Sequence, residues 1–217
     1  MKMQPTLYYI VDQNLVCRRR TNAILQIGSL IEGAPLITFD QPWEGDHCVY
    51  HNFFKDGDIY RMYYLAHASN RPFTEIKVCY MESQDGFHWV RPHLGLREFN
   101  GNKDNNIILD QSDQPHEGDF FDNFFVFKDR NPHSKKDELY KALAYKNPYR
   151  LECFFSADGI NFRRGYPIEV EGHFDTLNVC FYDEDLEKYV AFIRGFHNII
   201  DPMDLNQATR DIRRIES

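Results

Sequence analysis

Acidic residues stand just ahead of three strand-like runs in this 217-residue chain. The first group is Trp43-Glu44-Gly45-Asp46. The second is Gly118-Asp119-Phe120-Phe121-Asp122-Asn123, and the third is His173-Phe174-Asp175-Thr176-Leu177-Asn178. Asp122 precedes the turn acid Asp129 by seven residues, and Asp175 precedes Asp183 by eight, so these two correspond. Glu44 and Asp46 stand twelve and ten residues before Asp56, a looser match. Carboxylates converging from neighbouring elements can work together on an acetal. One protonates the departing oxygen, and another activates water or attacks carbon. Taken singly, each acid is equally well read as a turn cap or a solvated loop residue. Asp122 and Asp175 are the expected catalytic pair, with Glu44 or Asp46 as the third acid.

Four further residues could bind a substrate. Trp43 lies beside the first acids and offers a flat face to a sugar ring. His51, with His47, flanks the first inner strand. Arg194 and Arg210 could clamp a carboxylate or hydroxyl, although a surface or inter-element ion pair is the plainer reading of each. No metal motif and no Gly-x-Ser-x-Gly elbow is present, and no cofactor is expected. The five cysteines (Cys17, Cys48, Cys79, Cys153, Cys180) have no Cys-x-x-Cys spacing and read as buried, reduced thiols.

The elements that must position these residues are strands. His51–Phe54 leads through Lys55-Asp56-Gly57-Asp58 to Ile59–Ala66. Asn123–Phe127 leads through Lys128-Asp129 to Leu139–Tyr145. Asn178–Tyr182 leads through Asp183-Glu184-Asp185 to Lys188–Ile193. These are three copies of one hairpin. After the first two comes a strand ending in a repeated turn: Ser83-Gln84-Asp85-Gly86-Phe87-His88-Trp89 returns as Ser156-Ala157-Asp158-Gly159-Ile160-Asn161-Phe162. Asp-Gly suits a tight turn, because Gly accepts positive φ and Asp can bond its own backbone. Trp89 and Phe162 are expected to pack between blades.

Hairpin, Ser-ending strand, Asp-Gly turn and outer strand make a four-stranded antiparallel blade. The expected fold is therefore all-β, a β-propeller type with about three such blades. The expected division is one domain: a strand segment over 1–41, blade 1 over 42–115, blade 2 over 116–170, and an incomplete blade 3 over 171–217. An open arc leaves apolar faces uncovered, so missing C-terminal blades or a partner chain are expected to close it. The best helix candidate is short, from Pro202 to Arg210.

The formal net charge is −8, and no Lys/Arg cluster is interleaved with exposed aromatics, which argues against a nucleic-acid partner. Arg18-Arg19-Arg20 is too short to change that. Aromatic residues make up 15%, which suits strand-rich cores and sugar-binding surfaces alike. No run approaches the roughly 20 apolar residues of a membrane helix, and no membrane partner is expected. The start lacks the apolar core of a secretory signal, so the chain as given reads as cytoplasmic, or as periplasmic or secreted if its N-terminus is incomplete.

Several motifs in order carry a family resemblance. They are Pro42-Trp43-Glu44-Gly45, Tyr63-Tyr64, Ser83-x-Asp85-Gly86-x-x-Trp89-x-x-Pro92, Asn105-Asn106-Ile107, Asn131-Pro132, Phe174-Asp175-x-x-Asn178 and Arg210-x-Ile212. Together they resemble a bacterial branch of the five-bladed propeller glycosidases of glycoside hydrolase families 32, 43 and 68. The resemblance runs from about Leu36 onward. It implies five blades, with an Asp, an Asp and a Glu from the first three blades meeting in an axial funnel. The third-blade position would fall to Asp175, or to Glu169 or Glu171. The Asp-Pro-Asn and Arg-Asp-Pro signatures of family 32 are absent.

The expected activity is glycoside hydrolysis of a polysaccharide or oligosaccharide. The alternatives are a carbohydrate-binding propeller or inactive remnant without catalysis, and a phosphorylase on the same fold.

Overall fold

The computed structural model describes residue 20 and residues 33–114, 121–146, 150–170, 172–200 and 205–217. The chain divides into two compact units, residues 1–35 and residues 36–217. All the described strands belong to the second unit. Cys17, Arg18, Arg19, Asp119, Glu171 and the strand-like stretch from Leu7 to Val11 lie outside the described residues.

The second unit is all-β, built from antiparallel sheets of blade type. Blade 1 has β1 (His47–Asp56), β2 (Ile59–His67), β3 (Lys77–Ser83) and the two-residue β4 (Trp89–Val90) in that order. A short β5 (Ile107–Leu109) also pairs with β3, so the outer position of this sheet is shared by two strands. Blade 2 has β6 (Phe121–Lys128), β7 (Tyr140–Lys146), β8 (Arg150–Ser156) and β9 (Arg163–Ile168). Among the described residues blade 3 has three strands: β10 (Val179–Asp183), β11 (Lys188–His197) and β12 (Thr209–Glu216).

The registers superimpose. Tyr60 pairs with Ser83 and Tyr140 with Ser156, while the Ser217 amide donates to the Tyr189 carbonyl at 3.1 Å. Of the expected helix at Pro202–Arg210, the described part is a 3-10 turn over Leu205–Gln207 followed by β12. The strand wins because residues from Thr209 on pair with β11 along their whole length.

Strand alternation divides the core by face. Tyr63, Leu65, Val78 and Tyr80 of blade 1 meet Phe121, Phe124, Val126, Ala142 and Phe154 of blade 2. The opposite face of blade 1, with Met62, Tyr64, Ala66, Cys79 and Met81, is covered by Ile37, Phe39 and Trp43. Leu143, Tyr145 and Leu151 of blade 2 pack on Ala191 and Ile193 of blade 3. Phe162 sits between blades as expected, edge-on to Tyr63 and Phe124. Trp89 packs on the face of blade 1 turned away from blade 2, edge-on to Phe53.

A polar clasp repeats at each blade boundary. Asp56, at the end of β1, pairs with Arg61 and Lys128 and accepts a hydrogen bond from the Tyr140 hydroxyl of the next blade. One blade on, Asp129 pairs with Lys141 at 2.7 Å and accepts from Tyr189 at 2.7 Å. Both aspartates are buried, and their pKa values are lowered: burial opposes ionisation, but the cations and hydroxyls outweigh it.

The Asp-Gly turns are scaffold. Ser156 Oγ accepts from the Gly159 amide at 2.9 Å, and Asp158 Oδ1 accepts from Ile160 and Asn161, both at 2.8 Å. The first copy makes the same bonds through Ser83 and Asp85. Cys48, Cys79, Cys153 and Cys180 are free thiols. Burial pushes Cys48 and Cys180 up to about 12 and Cys153 up to about 11, which leaves them protonated and unreactive.

Candidate active site

The inner strands β1 and β6 share one irregularity. In β6 the pairing runs Asp122–Tyr145 and resumes at Phe125–Leu143, so Asn123 and Phe124 face a single partner residue. In β1 it runs Val49–Leu65 and resumes at Asn52–Tyr63, so Tyr50 and His51 do the same. These are β-bulges, and the residue that absorbs each has positive φ: Asn123 at 57° and Tyr50 at 55°. A bulge bends its strand and re-aims the side chains around it. Aligned this way, Asp122 corresponds to Val49, and Asn123 to Tyr50.

Buried asparagines tie the site together. The Asn123 amide donates to the Phe174 carbonyl at 3.3 Å, joining blade 2 to the segment that carries Asp175. Asn178 donates to the carbonyls of Phe174 (2.8 Å) and Thr176 (2.7 Å), and its Oδ1 accepts from the Arg194 amide at 2.9 Å. That folds the Asp175 loop back over β11. The Arg194 guanidinium lies 4.6 Å from the Phe196 ring centre, bonds the Asp175 carbonyl, and places Nη1 3.4 Å from Asp175 Oδ2.

The electrostatics link Asp122, Asp175 and Tyr50. The Asp122 carboxyl is raised to about 6, first by burial and then by the negative charge of Asp175, with the Asn123 amide opposing. The Tyr50 phenol is also raised, by burial, then by Asp122 and Asp175, with Arg194 acting against them. Asp175 itself is exposed, its side chain 67% accessible. Asp122 is half-buried. Asn123 Oδ1 and Arg194 Nε are buried and make no hydrogen bond within the described chain. The site therefore joins one protonatable carboxyl, one open carboxylate, a phenol and a guanidinium.

Of the sequence candidates, the structure brings Asp122, Asp175 and Arg194 together. It places the others elsewhere. Glu44 is fully buried on the outer face of blade 1. It accepts from Arg91 at 2.7 and 3.0 Å, from the Tyr64 hydroxyl at 2.6 Å and from the Gln41 amide at 3.0 Å. Asp46 is exposed and caps Ser69, accepting from its amide and hydroxyl, both at 2.6 Å. Trp43 donates to Asn106 at 2.7 Å and packs on Phe99. The His51 ring stacks on Tyr64 at 5.9 Å, again on the outer face. Arg210 is exposed on β12 opposite Phe196. Glu169 is exposed at the end of blade 2.

No family model and no curated protein matches the chain. Solved structures do. An exo-β-1,3-galactanase from Clostridium thermocellum aligns at 15% identity and a TM-score of 0.47, over 68% of this chain and 32% of that one. A family 43 β-1,3-galactosidase with galactodeoxynojirimycin aligns at 10% identity and a TM-score of 0.43, over 82% of this chain and 66% of that one. The chain spans about a third to two thirds of the length of these structures.

Tyr50 is the member of the cluster that sequence reasoning missed. Its signal is positional: it stands six residues before Asp56, as Asn123 stands six before Asp129. Among the described residues no cluster of three or more His, Cys, Asp or Glu could hold a metal ion. No described helix is long and apolar enough to cross a membrane.

Proposed function

We propose that this chain carries the acid–base centre of a glycoside hydrolase, with Asp122 as general acid and Asp175 as the carboxylate that activates water or attacks carbon. The observation that carries the reading is the Asp122 carboxyl, raised to about 6 beside a second, open carboxylate. Two carboxyls whose surroundings differ in this way can divide an acid and a base role between them. Asp122 keeps its proton to higher pH than an ordinary carboxyl, up to about pH 6, and in that form can give it to the departing glycosidic oxygen. Arg194 fixes Asp175 against the site. Tyr50, Asn123 Oδ1 and Arg194 Nε offer polar contacts suited to sugar hydroxyls.

The test is hydrolysis of aryl glycosides and oligosaccharides by the chain and by Asp122→Asn and Asp175→Asn. Loss of about 10²-fold or more in kcat for each variant, with retained folding, supports the pair. Unchanged turnover in both removes it.

One observation favours a second reading. The first blade brings Tyr50, where a third carboxylate is expected from the resemblance. A carbohydrate-binding mouth without turnover would show sugar affinity that Tyr50→Ala weakens and no hydrolysis by any variant. The phosphorolytic alternative has less support, because Arg194 is engaged by Asp175.

A further inference from the structure

Asp175 sits at the tip of a very tight turn. The Thr176 amide donates to the Phe174 carbonyl at 2.7 Å, a γ-turn closure with Asp175 at its centre. The same oxygen accepts from Asn178 Nδ2 at 2.8 Å and from Asn123 Nδ2 at 3.3 Å. Three donors therefore meet on one carbonyl oxygen, more than its two lone pairs. The next two carbonyls are held as well, that of Asp175 by Arg194 and that of Thr176 by Asn178 at 2.7 Å. Beneath the turn, Phe174 is fully buried, and its ring lies so close to Gly172 that a Cβ there would come within 2.7 Å of it. The backbone around Asp175 is thus fixed on every side while its carboxylate stays open to solvent.

Two of the three donors are asparagine side chains, one from each blade. Asn178 is 1% exposed, and its Oδ1 accepts from the Arg194 amide at 2.9 Å, so the residue that closes the turn also holds the strand that carries Arg194. Asn123 is fully buried, and its Oδ1 makes no hydrogen bond within the described chain. An unpaired buried acceptor costs stability, so packing alone does not favour an asparagine there. Its place in the chain gives the reason. Asn123 directly follows Asp122, and Phe174 directly precedes Asp175. The Asn123–Phe174 bond therefore joins the neighbours of the two carboxyl residues across the blade boundary.

We propose that Asn123 and Asn178 are positioning residues, which through the Phe174 carbonyl fix where the Asp175 carboxylate stands relative to Asp122. The catalytic consequence rests on the acid–base reading of that pair; the geometric one does not. A misplacement of about 1 Å between such groups can cost about 10²-fold in rate. Asn178 has both its amide atoms bonded within the chain, so its effect on turnover passes through Asp175 and Arg194.

The test uses the whole chain with Asn178→Ala and with Asn123→Gly. Glycine enters the left-handed region freely, so Asn123→Gly keeps the bulge, whose φ is 57°, and loses only the side chain. The carbon-13 titration of the Asp122 carboxyl is followed in each folded variant without substrate, and kcat and KM are measured on a glycoside that the parent hydrolyses. The Asp122 midpoint is expected to move toward that of Asp175→Asn in both variants, with kcat lowered about tenfold or more and KM little changed in Asn178→Ala. In an Asp175→Asn background the same two substitutions should leave the midpoint where it is. An equal shift in that background would mean that the asparagines act on Asp122 directly, and it overturns the proposal. So does a variant that unfolds at lower urea with its Asp122 titration unmoved, the mark of a merely structural residue. If Asn178→Ala does not fold, Asn123→Gly and its double variant decide by titration. A midpoint that moves as expected in a chain that hydrolyses no glycoside keeps the positioning and removes the acid–base reading. Turnover that needs both aspartates but is indifferent to both asparagines does the reverse.

Discussion

The Tyr189 hydroxyl bonds Asp129 across the boundary between blades 2 and 3, at 2.7 Å, and Tyr140 bonds Asp56 across the boundary before it. In each clasp the Asp comes from the preceding blade and the tyrosine from the following one; Lys141 joins Asp129 from its own blade, whereas Asp56 takes Arg61 from its own blade and Lys128 from the next. The clasp therefore sets the spacing of neighbouring sheets, and through it the distance between inner strands. Asp122 and Asp175, whose charges are felt by one another, belong to the two blades that the Asp129–Tyr189 clasp joins.

Loss of the clasp should cost stability. Tyr140→Phe removes one hydroxyl from a buried carboxylate and is expected to destabilise by about 1–3 kcal/mol. Asp56→Ala leaves Arg61, 15% exposed, without its partner and is expected to cost about 3–5 kcal/mol. Urea unfolding reads both. A double-mutant cycle should show coupling between the two positions.

Glu44 should behave as a structural residue. Its carboxylate is fully buried, and both oxygens are occupied. Glu44→Ala leaves the Arg91 guanidinium, 21% exposed, unpaired and is expected to destabilise by about 3–5 kcal/mol. The Asp122 titration should be unchanged in whatever fraction remains folded. An altered Asp122 pKa would place Glu44 at the site after all.

The two Asp-Gly turns should differ in their tolerance of alanine. Gly86 and Gly159 have nearly equal φ, 79° and 78°, so each substitution carries a backbone penalty of about 1–2 kcal/mol. A Cβ on Gly86 would meet nothing closer than Tyr60 at 3.8 Å, whereas one on Gly159 would lie 2.8 Å from the Tyr63 hydroxyl. Gly159→Ala should therefore destabilise more than Gly86→Ala, and thermal or urea unfolding of the pair decides it. Equal losses would mean that the blade boundary yields freely.

How much of this could be read from the sequence depended on how local each determinant was. Asp-Gly turns and hairpins are specified within a few residues, so the blades were legible. Asp122 and Asp175 stand out in the sequence because they keep step with Asp129 and Asp183. Glu44 keeps no such step, and what decides its role is Arg91 and Tyr64, far along the chain and unreadable from local pattern. Tyr50 was hidden by the bulge. A positive φ at tyrosine is uncommon, whereas Asn123, its counterpart, is a residue type that enters that region more readily. The outward course of Trp89 depends on which sheet face its short strand presents, and a two-residue strand shows no alternation.

Stability should depend on pH through Asp122. Its folded pKa, about 6, lies above the ordinary 3.8 that it regains on unfolding. The folded state therefore holds the proton more tightly. The resulting stability is fully present below about pH 4 and is lost as pH rises through 6, by at most about 3 kcal/mol. Other carboxylates with lowered pKa, Asp56 and Asp129 among them, act in the opposite sense. The contribution is therefore isolated by difference, comparing the chain with Asp122→Asn at pH 4 and pH 7. Asp122→Asn should gain stability relative to the parent across that interval. A constant difference would contradict the raised pKa.

The paired-carboxylate site is tested most directly by following the Asp122 side-chain carboxyl through its titration by carbon-13 NMR, in the parent chain and in Asp175→Asn. A midpoint near 6 that falls when Asp175 loses its charge is the expected result. A midpoint near 3.8, or one indifferent to Asp175, would mean that the two carboxyls do not share a site.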